Sequence, residues 1–211
     1  MFRVRLMAFV VLTLTLALAG VARAQPVPDV YKIDYFDNAG SFPDATVRIT
    51  NPGTTFDASG LNGDLCAMIY VYRPDQQLAE CCGCKVTPNG LLKLSVNNNL
   101  TNNPLTADPL RAGVIKIVSA LPTKEQGPPG SSGQCDPGAN SVPVATPALR
   151  AWATHVQDSG SLTETAFQDA TLSPQEQVLN MVLKCLLIEG QIIPGLGSGH
   201  GLCSCTEEKS W

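Results

Sequence analysis

Histidine is scarce in this chain, and no stretch is rich in lysine or arginine. The only imidazoles are His155 and His200, and neither a G-x-S-x-G nor an H-E-x-x-H motif is present, so the residue patterns of common hydrolases are missing. A basic stripe that would displace the counterions of a nucleic acid is missing as well. We therefore expect no nucleic-acid partner, and an enzyme is the less favoured interpretation.

Long apolar runs are also scarce. The one long run lies at the N-terminus. Two arginines precede the apolar residues 6–19, and residues 22–24 (Ala-Arg-Ala) fit the small-x-small pattern of a cleavage site. The run is shorter than the roughly 20 residues that a membrane-spanning helix needs. Residues 1–24 are thus a predicted signal peptide, and the mature chain is predicted to be secreted or periplasmic, without a transmembrane segment.

Acidic side chains outnumber basic ones. The chain has 18 acidic and 14 basic residues, and removal of the three arginines of the signal peptide changes the net charge from −4 to −7. This charge is typical of a solvated, soluble surface. The remaining 187 residues can build one good core.

The middle of the chain has the patterns of strands. Residues 46–50 alternate polar and apolar side chains, with Val47 and Ile49 on one face and Arg48 on the other. Residues 65–72 are apolar at nearly every position, which predicts a central strand covered on both faces. Further strands are expected at Leu92, Leu94 and Val96, at 114–118, 149–156 and 162–167, and around Tyr31, Ile33 and Tyr35.

Turn residues separate these runs, which favours a mainly β fold. We predict an antiparallel β-sandwich, Ig-like or jelly-roll-like and stapled by disulfides, over residues 25–170. Residues 121–147 contain ten prolines and glycines and predict a long exposed loop held by Cys135.

One α-helix is predicted near the C-terminus. Ser173 is a suitable N-cap, followed by Pro174 and by Glu176 at the capping-box position, and Gly190 is a natural stop. The apolar face of this helix comprises Val178, Met181, Val182, Cys185 and Leu186. Residues 171–211, the helix and a cysteine-containing tail, are expected to pack on the same domain.

The chain is rich in one residue type, cysteine, and an exported chain of this kind is typically a disulfide framework. Neighbours two apart in an extended strand point to one side and cannot bridge without strain, so each cluster should bond to separate partners. We favour links from Cys185 to Cys203 or Cys205, and from Cys66 or Cys135 to the 81–84 cluster. The disulfide candidates are Cys66, Cys81, Cys82, Cys84, Cys135, Cys185, Cys203 and Cys205.

Two other functions are open to the cysteines. Cys81 and Cys84 form a C-x-x-C pair, but the residues after it cannot continue as the helix that a redox site uses. A metal site would take Cys203, Cys205 and His200 with one cysteine of the 81–84 cluster, although zinc-ribbon spacing is absent. Carboxylate pairs for hydrolysis are Glu164 with Asp169 and Asp34 with Asp37. No catalytic, cofactor-binding or metal-binding residue is assigned, and no cofactor is expected.

Three motifs together resemble an uncharacterised family of exported, cysteine-rich bacterial proteins. They are residues 65–71 (Leu-Cys-Ala-Met-Ile-Tyr-Val), residues 80–84 (Glu-Cys-Cys-Gly-Cys), and residues 196–199 (Leu-Gly-Ser-Gly) with 203–205 (Cys-Ser-Cys). The resemblance implies a bacterial, extracytoplasmic protein of unassigned activity and supplies no catalytic residue.

The favoured function is a secreted or envelope-associated β-domain that acts as a binding or structural module. Its partner is unknown, with a protein or a cell-surface glycan as candidates. An exported enzyme, redox or hydrolytic, and a metal-binding module are the alternatives.

Overall fold

The computed structural model describes residues 29–38, 44–55, 63–101, 110–123, 134–138, 143–157, 159–189 and 203–205. The predicted signal peptide and His200 lie outside these ranges. Nine strands are present in the described residues: β1 Tyr31–Asp37, β2 Thr46–Thr50, β3 Leu65–Tyr72, β4 Leu78–Val86, β5 Leu91–Ser95, β6 Ala112–Ala120, β7 Arg150–Val156, β8 Leu162–Ala166 and β9 Gln168–Asp169. A π-helical turn, Val96–Leu100, follows β5.

The strands form two antiparallel sheets that face each other. One has the order β4-β3-β6-β1-β9 and the other β5-β2-β7-β8. Alternate residues of both sheets meet in one apolar core, among them Ile49 and Leu94 from the second sheet and Ile69 and Ile117 from the first. The predicted fold class, a mainly β, disulfide-stapled sandwich with one C-terminal helix, is confirmed.

Most predicted strands are present with small changes of length. All eight residues of β3 are buried, as expected for a strand covered on both faces. Val96 lies in the π-helical turn after β5, and it is buried like Leu92 and Leu94. Two strands, β4 and β9, were not predicted.

Residues 121–147 are only partly exposed where the structure describes them, since Val144 is exposed but several other residues are not. Pro122, Cys135, Pro137 and Pro143 are buried. They lie near the outer face of the five-stranded sheet because Cys135 bonds to Cys66 on β3. A staple at Cys135 was predicted, but not its bond to Cys66.

The C-terminal helix, called α1, has a π-helical part, Glu176–Val182, and an α-helical part, Leu183–Glu189. The hydroxyl of Ser173 accepts the Glu176 N–H at 3.1 Å, which confirms the N-cap. Met181, Val182 and Cys185 are buried as predicted. Within the described residues, no helix is long and apolar enough to cross a membrane.

One part of the predicted apolar face of α1 is wrong, since Leu186 is 37% exposed. The π-helical part has a different angular spacing from the 3.6-residue period, so it rotates the following turn away from the expected face. Leu186 joins an exposed apolar stripe with Leu179, Leu183 and Leu187.

Polar contacts attach α1 to the outer face of the sheet. The Lys116 ammonium of β6 donates to the Glu176 carboxylate at 2.6 Å and lies 4.4 Å from the centre of the Tyr72 ring. The Tyr72 hydroxyl donates to the carbonyl of Asn180. Burial raises the pKa of Glu176, but hydrogen bonds from Lys116 and Asn180 outweigh burial, so the pKa lies below its ordinary value of 4.5.

Four disulfides join the helix, the loop and the tail to the sheet. They link Cys66 with Cys135, Cys81 with Cys185, Cys82 with Cys203, and Cys84 with Cys205. No cysteine of the chain is free. The expectation that each cluster bonds to separate partners is confirmed.

Both favoured links are wrong. Cys185 bonds to Cys81 rather than to Cys203 or Cys205, and Cys66 and Cys135 bond to each other. The reason is the face that each cysteine occupies. Cys82 and Cys84 pack in the sandwich core, whereas Cys81 packs with Cys66, Cys135 and Cys185 in the second apolar cluster, on the outer side.

The two tail disulfides, Cys82–Cys203 and Cys84–Cys205, should stabilise the fold non-additively. Removing one of them should cost less than half of what removing both costs. With either one in place, the other closes a ring of only about six residues, worth about 2 kcal/mol in the chain-entropy treatment. We expect Cys82→Ser/Cys203→Ser or Cys84→Ser/Cys205→Ser to lower the free energy of unfolding by about that amount. Removing both pairs should cost about 5 kcal/mol or more.

Denaturant unfolding of the three variants measures these differences. Cys66→Ser/Cys135→Ser is the reference, because it opens a loop of 69 residues and should cost about 4 kcal/mol. A single tail pair that costs as much as this reference would contradict the shared-loop explanation.

Glu176→Gln should make stability less dependent on pH. Because the pKa of Glu176 is lowered in the folded state, the unfolded state binds more protons, and the stability from Glu176 is lost as pH falls below about 4.5. The substitution should cost about 1 kcal/mol at pH 7 and less at pH 3. Urea unfolding at both pH values measures the change.

Glu164→Gln is the matched control, since Glu164 also pairs with a cation, Arg48, but on the exposed face of the second sheet. It should change stability little at either pH. An equal cost of Glu176→Gln at pH 7 and pH 3 would exclude an effect of its ionisation.

Candidate functional site

The C-x-x-C pair of Cys81 and Cys84 is not a dithiol in this fold. The two side chains lie on opposite faces of β4, and each bonds to a different distant cysteine. A redox site of the thioredoxin kind requires both sulfurs of the motif to bond to each other. The arrangement therefore serves to connect segments, not to exchange electrons within the motif.

Gly83, between these cysteines, allows the loop to approach β4 closely. A Cβ atom at this position would lie 2.1 Å from the carbonyl oxygen of Cys135. No side chain fits in that space, so glycine is required where the loop crosses the outer face. The loop also reaches β3, where the Tyr70 hydroxyl donates to the Pro137 carbonyl at 3.1 Å.

The described tail residues, 203–205, are held by hydrogen bonds as well as by disulfides. The N–H of Cys203 donates to the Cys81 carbonyl at 3.4 Å, and the N–H of Ser204 donates to the Asn99 carbonyl at 3.1 Å. The Asn99 amide donates to the Ser204 hydroxyl at 3.0 Å. The tail thus has a defined position beside β4.

The structure brings together only part of the alternative metal site, which comprised Cys203, Cys205, His200 and one cysteine of the 81–84 cluster. The sulfurs of Cys82, Cys84 and Cys205 lie within 4.8 Å of one another, and the first two are buried. Cys203 is bonded to Cys82. His200 lies outside the described residues.

The two carboxylate pairs do not form hydrolytic centres of the kind that was considered. Glu164 accepts from Arg48 at 2.6 Å, and Asp169 accepts from the buried ammonium of Lys32 at 2.6 Å, so each is held by its own cation. Asp34 takes part in a different group, with His155. Asp37 has its own contacts within the fold.

Lys32 belongs to a charged network at the edge of the first sheet. It donates to Asp29 at 2.5 Å, and Asp29 also pairs with Arg150. Burial raises the pKa of Asp29, but the hydrogen bonds from Lys32 and Arg150 outweigh burial and lower it below the ordinary value. The network ties β1, β7 and β9 together and leaves Lys32 paired.

A buried histidine group was missed in the sequence. His155 is 2% exposed, its Nε2 lies 2.6 Å from the Thr165 hydroxyl, and the ring of Tyr35 stacks on it at 4.3 Å. The Thr165 hydroxyl donates its one proton to Asp34 at 3.2 Å. It therefore accepts a hydrogen bond from His155, whose Nε2 carries the proton. The sequence pattern could have indicated its burial, since His155 lies two and four residues after Ala153 and Ala151 and therefore on the same, core-facing side of β7.

His155 orients the Thr165 hydroxyl toward Asp34, and its other contacts are those of a buried structural side chain. The buried Nδ1 of His155 has no hydrogen-bond partner among the described residues. The Asp34 carboxylate lies 3.7 Å from Nε2, beyond a direct hydrogen bond. Tyr35 is 56% exposed and covers the ring.

An exposed edge of the sandwich is formed by β8. It ends the four-stranded sheet, and all five of its residues are exposed, including Leu162 at 48%. Its neighbour in the sheet is β7, and the hairpin turn between them is closed by the Gln157 N–H, which donates to the Ser161 carbonyl at 2.9 Å. A strand that is exposed in this way presents its outer backbone groups to a partner.

The register identifies these groups. The Phe167 N–H donates to Ala151 at 3.0 Å and the Gln157 N–H to Ser161 at 2.9 Å, which makes both residue pairs hydrogen-bonded. Because bonded and non-bonded pairs alternate, Thr163 and Thr165 bond to β7. The N–H and C=O groups of Leu162 and Glu164 therefore point away from the sheet.

The chain matches no protein-family model, no curated protein and no solved structure. The resemblance to exported, cysteine-rich bacterial proteins therefore stays a prediction from the three motifs.

Proposed function

We propose that this protein is an extracytoplasmic binding module that captures an extended peptide segment of another protein at the edge of β8. The observation that supports it is the exposed edge strand with outward backbone groups at Leu162 and Glu164. Peptide segments bind to such edges by adding a strand, with backbone hydrogen bonds for affinity and alternate side chains for specificity.

The side chains of β8 suit a strand partner. Leu162, Glu164 and Ala166 alternate with the two threonines, which have high β propensity. The Glu164 carboxylate forms an ion pair with Arg48 of β2, which reduces the repulsion between the one charge on the strand and an acidic peptide. Neither proline nor lysine protects this edge.

The edge of β4, at the far side of the other sheet, differs from that of β8. The tail donates a backbone hydrogen bond to β4 at Cys81, and two disulfides hold it there. A partner strand would have to displace these contacts. This difference favours β8 as the binding edge.

The setting of the module is the exterior of a cell. Four disulfides are typical of an oxidising, extracytoplasmic compartment. The predicted signal peptide, the negative charge and the bacterial resemblance together favour a secreted or periplasmic protein of a bacterium. A protein partner is preferred to a glycan because backbone groups, not a polar pocket, form the proposed surface.

Hydrogen exchange should reveal the open edge in the protein alone. We expect the amides of Leu162 and Glu164 to exchange at least about tenfold faster than those of Thr163 and Thr165, because only the latter bond to β7. NMR-detected exchange of the folded protein measures the rates. Similar rates along β8 would show that this edge is covered.

Peptide binding should depend on the outward N–H of Glu164. Peptides selected from a random library on the immobilised protein should slow the exchange of the Leu162 and Glu164 amides, and Glu164→Pro should abolish their binding because proline has no N–H. Titration calorimetry with the best peptide measures the loss. Thermal unfolding should show that the variant remains folded.

Two controls separate the backbone from other effects. Glu164→Gln removes the ion pair with Arg48 but keeps the N–H, and it should bind nearly as well as the parent protein. Leu91→Pro introduces proline at the first residue of β5, at the opposite edge of the same sheet, and should not weaken binding. Peptides that protect other amides, or that bind equally to Glu164→Pro, would contradict the proposal.

A further inference from the structure

The sulfurs between β4 and the tail are arranged as a set of four. Those of Cys82, Cys84 and Cys205 lie within 4.8 Å of one another, and that of Cys203 is bonded to Cys82. We propose that, before these two disulfides form in the newly made chain, Cys82, Cys84, Cys203 and Cys205 bind one Zn²⁺ ion as thiolates. The inference is independent of the peptide-binding proposal.

The spacing suits the metal. Structural zinc is tetrahedral with Zn–S bonds of about 2.3 Å, which places the sulfurs about 3.8 Å apart. The sulfurs of Cys84 and Cys205 are bonded to each other, so this pair must open by about 2 Å to reach ligand positions, while the sulfur of Cys82 already lies within 4.8 Å of both. Four soft thiolates in a tetrahedral set select zinc over the harder cations.

The backbone holds both halves of the site without the disulfides. Cys82 and Cys84 lie on the same face of β4, which is paired along its length with β3. The described tail residues also make hydrogen bonds that do not involve sulfur, of Cys203 to Cys81 and of Ser204 to Asn99. Reduction therefore separates the sulfurs only as far as side-chain rotation allows.

The other four cysteines do not compete for the ion at this place. Cys66, Cys81, Cys135 and Cys185 belong to the apolar cluster on the outer side of the sheet. Cys82, Cys84 and Cys203 pack in the sandwich core, with the half-buried Cys205 against it. Cys205 is the most accessible of the four ligands and gives the ion a route in.

The chemistry balances with a small-molecule disulfide as the oxidant. Binding to the reduced site releases four protons as four thiols become thiolates around Zn²⁺. Two molecules of the oxidant R′S–SR′ then convert the four thiolates to the Cys82–Cys203 and Cys84–Cys205 disulfides. The oxidant leaves as four thiolates R′S⁻, and one Zn²⁺ is released.

Cobalt substitution tests the site in the full mature chain. The protein is reduced with a phosphine, freed of reductant without oxygen, and titrated with Co²⁺ and then Zn²⁺. We expect one equivalent of Co²⁺ with the visible and charge-transfer bands of a tetrahedral thiolate site, which Zn²⁺ abolishes. Absence of these bands would overturn the proposal.

Pairwise variants locate the ligands. Cys82→Ser/Cys203→Ser and Cys84→Ser/Cys205→Ser should each weaken Zn²⁺ binding at least a hundredfold. Cys66→Ser/Cys135→Ser, which removes the same number of thiols on the outer face, should bind like the parent protein. Equal losses in all three variants would show that a reduced, unstructured chain binds the ion, and would also overturn the proposal.

Release on oxidation is a second measurement that does not depend on the variants. Four equivalents of a small-molecule disulfide, one for each pair of the eight thiols in the reduced chain, should release one Zn²⁺ from the loaded protein, followed with a coloured chelator. Peptide mapping should then return the Cys82–Cys203 and Cys84–Cys205 links. Retention of zinc after these links have formed would exclude the four-thiolate site.

Discussion

The alternation of side chains along β4 is the constraint on which the rest of the molecule depends. It directs Cys81 to the outer face of the sheet and Cys82 and Cys84 into the sandwich core. The helix is consequently bonded on one face and the tail on the other. Because the rule that neighbours in a strand point to opposite sides is steric, no rearrangement of loops can exchange these partners while β4 stays paired with β3.

This distribution makes the two sheets unequal. The five-stranded sheet is covered by the other sheet on its inner face, by α1 and the loop on its outer face, and by the tail beside β4. Among the described residues, the four-stranded sheet has no such cover at β8. The edge proposed for binding is thus one to which no disulfide attaches a further segment. The same concentration of sulfur beside β4 is the basis of the proposed zinc site.

Elements with a strong local pattern were predictable. The alternation in β2 and β5, the apolar run of β3 and the Ser173 cap of α1 each express a preference that a few neighbouring residues decide. β4 was missed because cysteines, Cys82 and Cys84, stand at core-facing positions before Val86, so its period of two was taken for a disulfide cluster alone. The face of α1 was wrong at Leu186 because π-helical winding changes the spacing on which the prediction was based.

The sequence by itself determined the class of the fold, the number of cysteines available for bridges and the faces that Cys81, Cys82 and Cys84 occupy in a strand. Only the tertiary structure decided which cysteines meet, that His155 lies beside Asp34 and Thr165, and that β8 stands at an exposed edge. The physical reason is the range of the interactions. Side-chain alternation and capping act within a few residues. A disulfide between cysteines that are 104 or 121 residues apart instead depends on how the strands and the helix pack, and this packing is decided by contacts throughout the core.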